Sequence, residues 1–427
     1  MDIKENSGEN TSCENILQSE SKTTKYKKVK KPYRLSVGSV IVIVLFAVLF
    51  TFQTTYVVLT ASHKLELNKV KSNVSDFEAV LEAYGIFKEN CVYDIDAENL
   101  SRYMLYAFAA EDKYSSYLTY EEFLDMYYTS AGNASGVGIY INEAYDGILV
   151  SYVMSGSPAE KAGIKMGDVI VAINGKLISD VGYDNSVTLT AGNIGDQKIF
   201  TIRRGEEKFD LTVTLGEYTP ETVLYHMIEE NGEKLGYVQI LQFDMITVSQ
   251  FKTAVSSLVS GGCQKLIFDV RNNPGGELDA IVEILDYLLP EGPIVRILDA
   301  DKNEIQIYTS DKNEIDMPMA VLINENTASA AELFTSALRD YEKAVLIGEK
   351  TYGKGCGQSA NYLSTTGGYI WITTFYYNPP FGENYDGEGI YPKVEVALPE
   401  EYRNKNLFLV PYESDTQLQA AVAYLTK

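Results

Sequence analysis

Histidine is nearly absent: His63 and His226 are the only two in 427 residues. Neither sits in a catalytic context, so a hydrolase on this chain needs a base other than imidazole, and lysine is the usual substitute. Cysteine is scarce too. Cys13 precedes a long apolar run, and Cys91, Cys263 and Cys356 follow it, an odd number without framework or metal-ligand spacing. That argues against a disulfide scaffold and a zinc site, and no metal or cofactor is expected. Positive charge is in deficit: 36 Lys and Arg against 59 Asp and Glu leave a net charge of -23. Such a surface offers no basic face to a phosphate backbone, so nucleic acid is excluded as a partner. Neither a phosphate cradle nor an internal repeat is present.

What is present begins with an apolar run. Residues 35–59 carry no charge, and Lys22, Lys25, Lys27, Lys28, Lys30, Lys31 and Arg34 precede them. A helix of that length spans about 37 Å, enough for a hydrocarbon core of about 30 Å. The run is longer than a signal-peptide core, which favours an uncleaved single-pass anchor. The basic flank keeps residues 1–34 in the cytoplasm, as a tail disordered over 1–21, and places everything beyond Thr60 outside the cytoplasmic membrane.

The exported part changes character along its length. Residues 62–132 show helical spacing, as at Phe77, Val80, Leu81 and Tyr84. Residues 133–217 alternate short strands with glycine turns, around Pro158 at a helix start, Gly163 at its stop and the tight turn Asn174-Gly175. This reads as a small β-barrel with two helices. Residues 218–400 read as an α/β domain: Leu266–Val270 and Met319–Ile323 are buried strands, and 278–288 is a helix. Residues 401–427 form a helical tail. The fold class is therefore multidomain α+β. The helices at 62–132 and 415–426 leave a homodimer open.

Ser329 lies in Thr327-Ala328-Ser329-Ala330-Ala331-Glu332, between a strand end and a helix start. There the helix terminus offers partial positive charge and the Ala330 N–H to a developing oxyanion. Asn272-Asn273-Pro274-Gly275-Gly276 ends a buried strand and exposes further amides in the crevice where α/β sheets bind ligands. Lys354 stands among Tyr352, Gly353, Gly355, Cys356 and Gly357, with no acid beside it, and Gln358 lies four residues on. A neutral lysine at pH 7 costs about 4.6 kcal/mol, which burial can impose. Taken singly, these are a helix-capping serine, a turn and a solvated lysine.

Together they resemble the carboxyl-terminal processing (tail-specific) peptidases, over about residues 75–425. The likeness is carried by Asp112 to Leu118, Phe268 to Gly276, Thr327 to Glu332, Gly353-Lys354-Gly355 with Gln358, Gly387 to Pro392, and the terminal Asp415-Thr416-Gln417-Leu418. It implies Ser329 as nucleophile, Lys354 as general base, Gln358 as its orienter, and backbone oxyanion donors at Gly275 or Gly276 and Ala330. The barrel at 133–217 is similar to a PDZ domain in the order used by bacterial exported proteases. That likeness implies that Gly136, Val137, Gly138 and Ile139 receive a peptide carboxylate, with the peptide adding as an edge strand. The implied protein is a membrane-anchored serine endopeptidase acting on proteins with free apolar C-termini. The alternative is a non-catalytic PDZ adaptor. Two departures stand out: Lys113-Tyr114 replaces a usual Pro-His, and Lys393 a usual Asp. Neither is expected to touch the dyad. Joints near 133–135 and 216–219 are expected to let the PDZ unit move.

Overall fold

The computed structural model describes residues 77–403 and 405–427. The basic tail and the anchor expected at 35–59 lie outside them. Among the described residues no helix is long and apolar enough to cross a membrane. Two units are distinguished, with the division at Ile95/Asp96. In the first, the helix Glu78–Asn90 buries none of its residues.

The second unit starts with the helix Ala97–Ala109, where Asp96 accepts from the N–H groups of Glu98 and Asn99. Strand β1 (Ser116–Leu118) follows, then the helix Tyr120–Ser130. A reciprocal pair fixes that helix start: Glu122 N–H donates to Thr119 Oγ1 and Thr119 N–H to Glu122 Oε2.

The small β unit comes next: β2 (Ala134–Gly136), β3 (Ile139–Ala144), β4 (Gly147–Val153), β5 (Val169–Ile173), β6 (Lys176–Leu177), β7 (Gln197–Arg204), β8 (Glu207–Thr214) and β9 (Gly216–Tyr218). The sheet order is β3-β4-β5-β7-β8, with β6 on β5, which leaves β3 at an open edge. Its core is aliphatic with one phenyl ring: Ile148, Val150, Ile170, Phe200, Ile202 and Val213. Three short helices complete it, at 158–162, 178–181 and 183–190, one more than the sequence pattern predicts. The two expected joints are paired with each other, because β2 and β9 form an antiparallel ribbon.

The remaining strands are β10 (Val223–Glu230), β11 (Glu233–Ile240), β12 (Lys265–Asp269), β13 (Gly292–Leu298), β14 (Glu304–Ser310), β15 (Met319–Ile323), β16 (Ala344–Gly348), β17 (Cys356–Tyr362), β18 (Tyr369–Asn378) and β19 (Val394–Glu395). The main sheet runs β10-β11-β12-β15-β16-β19 and is parallel from β11 onward. Side chains alternate across it, as strand geometry demands. Leu266, Phe268, Val321 and Ile323 face the helices Met245–Ser260, Leu278–Leu288 and Ala330–Asp340. Ile267, Ala320 and Leu322 face the C-terminal helix Thr416–Leu425. A second sheet, β1-β18-β13-β14 with β17 on β18, brings the N-terminal strand against the later part of the core.

The C-terminal helix is also locked by charge. Arg271 is 3 % exposed; it donates to Asp269 and, through Nη1 and Nη2, to Asp415 at 2.9 and 2.8 Å, with Gln417 Oε1 at 2.9 Å. Just before this, Phe408 stacks on Tyr152 of β4, with ring centroids 5.0 Å apart. Asp415→Ala removes one of two carboxylates from a buried guanidinium. It is expected to destabilise the protein by about 2–3 kcal/mol in urea unfolding, below the full cost of a broken buried pair because Asp269 remains.

Candidate active site

Three neighbouring parallel strands, β12, β15 and β16, end on the same edge, and their following loops supply the site, as the switch-edge crevice of such sheets predicts. The loop after β15 carries Ser329 at the start of the helix Ala330–Asp340. Its backbone has φ 57° and ψ -121°, a conformation that a side-chain-bearing residue holds only when its surroundings enforce it. They do. Ala328 N–H donates to Asn273 O at 2.9 Å, Thr327 Oγ1–H to Val270 O at 2.8 Å, and Ser329 N–H to Glu332 Oε2 at 2.9 Å.

The glycine turn after β12 presses against this loop. A Cβ on Gly275 would fall 2.7 Å from Ser329 Cβ and 2.9 Å from Ala330 N, and its φ is +105°. Only glycine permits that approach. Of the three expected oxyanion donors, Gly275 is corrected: its N–H is spent on Asn273 Oδ1 at 2.8 Å, while Asn273 Nδ2 is anchored on Ile240 O. The N–H groups of Gly276 and Ala330 donate to no described residue.

Lys354 comes from the loop after β16. Its Nζ donates to Gln358 Oε1 at 2.9 Å, and Gln358 Nε2 donates to Thr373 Oγ1 of β18 at 3.1 Å. The Tyr377 phenol donates to Lys354 O at 2.6 Å. Burial depresses the amine's pKa; Cys356, Asp112, Asp386 and Glu332 pull it back up. Acids absent from the local sequence are thus brought near by the fold, though none is ion-paired with the amine. The expectation that Lys113-Tyr114 stays clear of the lysine is overturned, since Lys354 Nζ lies 4.6 Å from the Tyr114 ring centroid. The amine makes no hydrogen bond to the Ser329 hydroxyl, which instead lies beside the Tyr377 phenol.

The loop bearing Lys354 and the turn bearing Ser329 meet at Glu332. This carboxylate is fully buried and accepts from Ser329 N–H, Thr351 Oγ1–H (2.5 Å), Gly353 N–H (2.7 Å) and Lys354 N–H (2.7 Å). Desolvation raises its pKa against those four donors. The sequence places Glu332 three residues after Ser329, the spacing of a helix-start cap, but gives no sign that it also ties down residues 351–354. Beside Ser329 opens a pocket of about 160 Å³. Gly276, Ala330 and Gln358 contribute polar edges, Leu278, Leu333, Trp371 and Phe375 apolar walls, and Glu277 a carboxylate. Larger hollows elsewhere hold neither Ser329 nor Lys354. In the small β unit, Gly136 to Ile139 lead into the open edge strand β3, and the N–H groups of Val137 and Gly138 donate to no described residue.

Comparison with known proteins bears on this geometry. Residues 234–396 match the model of peptidase family S41, and residues 149–204 that of the PDZ domain. A "Probable CtpA-like serine protease" of Staphylococcus aureus (strain COL) is 33% identical over 342 residues, covering 79% of this chain and 68% of that protein. The chain belongs to peptidase family S41. A second S41 relative, the "Probable CtpA-like serine protease" of Staphylococcus epidermidis, is 30% identical over 400 residues, 92% of this chain and 79% of that one. A crystal structure of an S41 protease candidate from Bacteroides fragilis has a TM-score of 0.57 at 20% identity, covering 78% of this chain and 97% of that one, and shares the fold. This S41 protein is thus a serine peptidase with a mixed α/β core and a PDZ domain.

Gly275→Ala tests the packing of the S41 site. The added methyl displaces Ser329, and turnover is expected to fall about a hundredfold, the scale of an ångström-sized misplacement. The accompanying loss of stability, about 1–3 kcal/mol, is read from thermal unfolding.

Proposed function

We propose that the protein is a membrane-anchored endopeptidase that captures protein C-termini on its PDZ domain and cuts through a Ser329/Lys354 dyad. The carrying observation is the convergence at Glu332: one carboxylate fixes the backbones of both residues. Lys354 Nζ takes the proton of Ser329 Oγ as the oxygen attacks the scissile carbonyl carbon. The N–H groups of Ala330 and Gly276 receive the oxyanion. Collapse breaks the C–N bond, the leaving amine takes the proton from Lys354, and water hydrolyses the acyl-serine by the same relay. Gln358 holds the amine by an uncharged contact, so it orients the base without favouring the ammonium as a carboxylate would.

For substrate capture, the support is the open edge of β3, the two free N–H groups at Val137 and Gly138, and an apolar lining. Ile139 and Ile141 of β3 and Tyr183 and Leu189 of the helix Tyr183–Thr190 are partly buried against the PDZ core. A strand added along that edge would bring an apolar last residue over them. For the address, with the catalytic part outside the cytoplasmic membrane, the support is the uncharged run 35–59 behind a basic flank. A homodimer is part of the proposal only through the helix Glu78–Asn90, which buries nothing within its own unit.

Cleavage of a peptide with an apolar C-terminus by the fragment from residue 62 tests this reading. Ser329→Ala and Lys354→Met are expected to abolish turnover while leaving peptide binding intact. Binding without cleavage by the unaltered fragment would favour the adaptor. The pH profile has a definite sign. The active lysine is the neutral form, so activity rises with pH through its pKa, and burial sets that limb below the 10.5 of free lysine. Amidating the peptide's terminal carboxylate is expected to raise KM.

A further inference from the structure

One contact of the lysine is not used by the dyad. The turn Asp112–Ser115 brings the Tyr114 ring to within 4.6 Å of the Lys354 amine and is stitched in place. Ser115 Oγ–H donates to Asp112 Oδ2 at 2.6 Å, Tyr114 N–H to Asp112 Oδ1 at 3.2 Å, and Thr373 N–H to Ser115 Oγ at 3.3 Å. Thr373 is also the residue that holds Gln358. The two groups flanking the amine, the Gln358 amide and the Tyr114 ring, are therefore fastened to the same stretch of β18. Lys113 Nζ lies 4.4 Å from the same ring. The Tyr114 hydroxyl is buried, and the groups beside it are Lys113 and Tyr352.

We propose that Tyr114 is a positioning residue: its ring face is the seat on which the Lys354 amine rests, and with Gln358 it fixes the direction from which that amine reaches Ser329. This rests on the reading of Lys354 as the base. An aromatic face attracts a cation at this distance, so the seat opposes the burial that favours the neutral amine. The other titratable groups near the amine are Asp112 on the same turn, the Cys356 thiol of β17, Asp386 and Glu332, and Lys113 lies against the same ring. Substituting the ring leaves all of these in place.

The test is the pH profile of kcat for the unaltered protein, Tyr114→Phe, Tyr114→Leu and Lys354→Met. Tyr114→Leu keeps apolar bulk but loses the aromatic face. Its kcat is expected to fall about tenfold with little change in KM, and its acid limb to move about half a pH unit lower as the ammonium loses its seat. Tyr114→Phe is expected to keep the limb and to stay within about threefold of the unaltered kcat. Fluorinated phenylalanines at position 114, similar in shape with a progressively weaker face, should step the limb downward, and they serve if Tyr114→Leu does not fold. An unmoved limb across that series, or a Tyr114→Phe as damaged as Tyr114→Leu, overturns the seat. Activity in Lys354→Met removes the base reading, and the seat with it. An inactive Lys354→Met with a ring-insensitive limb refutes the seat alone.

Discussion

The Glu332 carboxylate is the constraint on which the rest of the site depends. It sits fully buried and gathers donors from its own helix start and from the loop after β16. Taking an ionised carboxylate out of water costs several kcal/mol, and only a complete set of charge-assisted hydrogen bonds offsets it. Four donors make that set. Because they belong to two chain segments, the carboxylate is satisfied only when nucleophile turn and lysine loop are both in their final places. The donors are backbone amides and one hydroxyl, with no cation among them, so the anion is held without recruiting the lysine amine nearby.

Around this point the molecule is built in layers that each contribute one boundary. The parallel sheet delivers three loops to one edge. The second sheet, through β17 and β18, delivers Gln358, Thr373, Trp371 and Phe375, and through β1 the turn holding Tyr114. The C-terminal helix grips Arg271, two residues beyond the end of β12 and four before Gly275. The glycine turn is therefore braced from behind by a buried ion network while it presses on Ser329 from the front.

Much of this was legible in the sequence. The helix Leu278–Leu288 and the strand Met319–Ile323 fall where the apolar pattern places them, because a buried helix face and a doubly covered strand leave little ambiguity. Other elements were not legible. Strands β13, β14 and β17 escaped although β13 with β14 and β17 with β18 form local hairpins; of the three, only β13 is also held by a partner far along the chain, β18. Gly275 and Gly276 look equivalent in sequence, and only the Asn273 side chain decides which amide is left free. The Tyr114 contact joins residues 240 positions apart, and no local pattern encodes it.

The backbone at Ser329 carries one more consequence. Its φ of 57° at ψ -121° lies outside the ordinary basins, and the neighbouring loops hold it there. Serine tolerates this with a single unbranched Cβ substituent. Threonine, chemically the nearest alcohol, would add a methyl that is poorly accommodated at positive φ, and at a point already crowded by Gly275. The fold therefore commits the site to a primary alcohol by shape alone, before any question of reactivity arises.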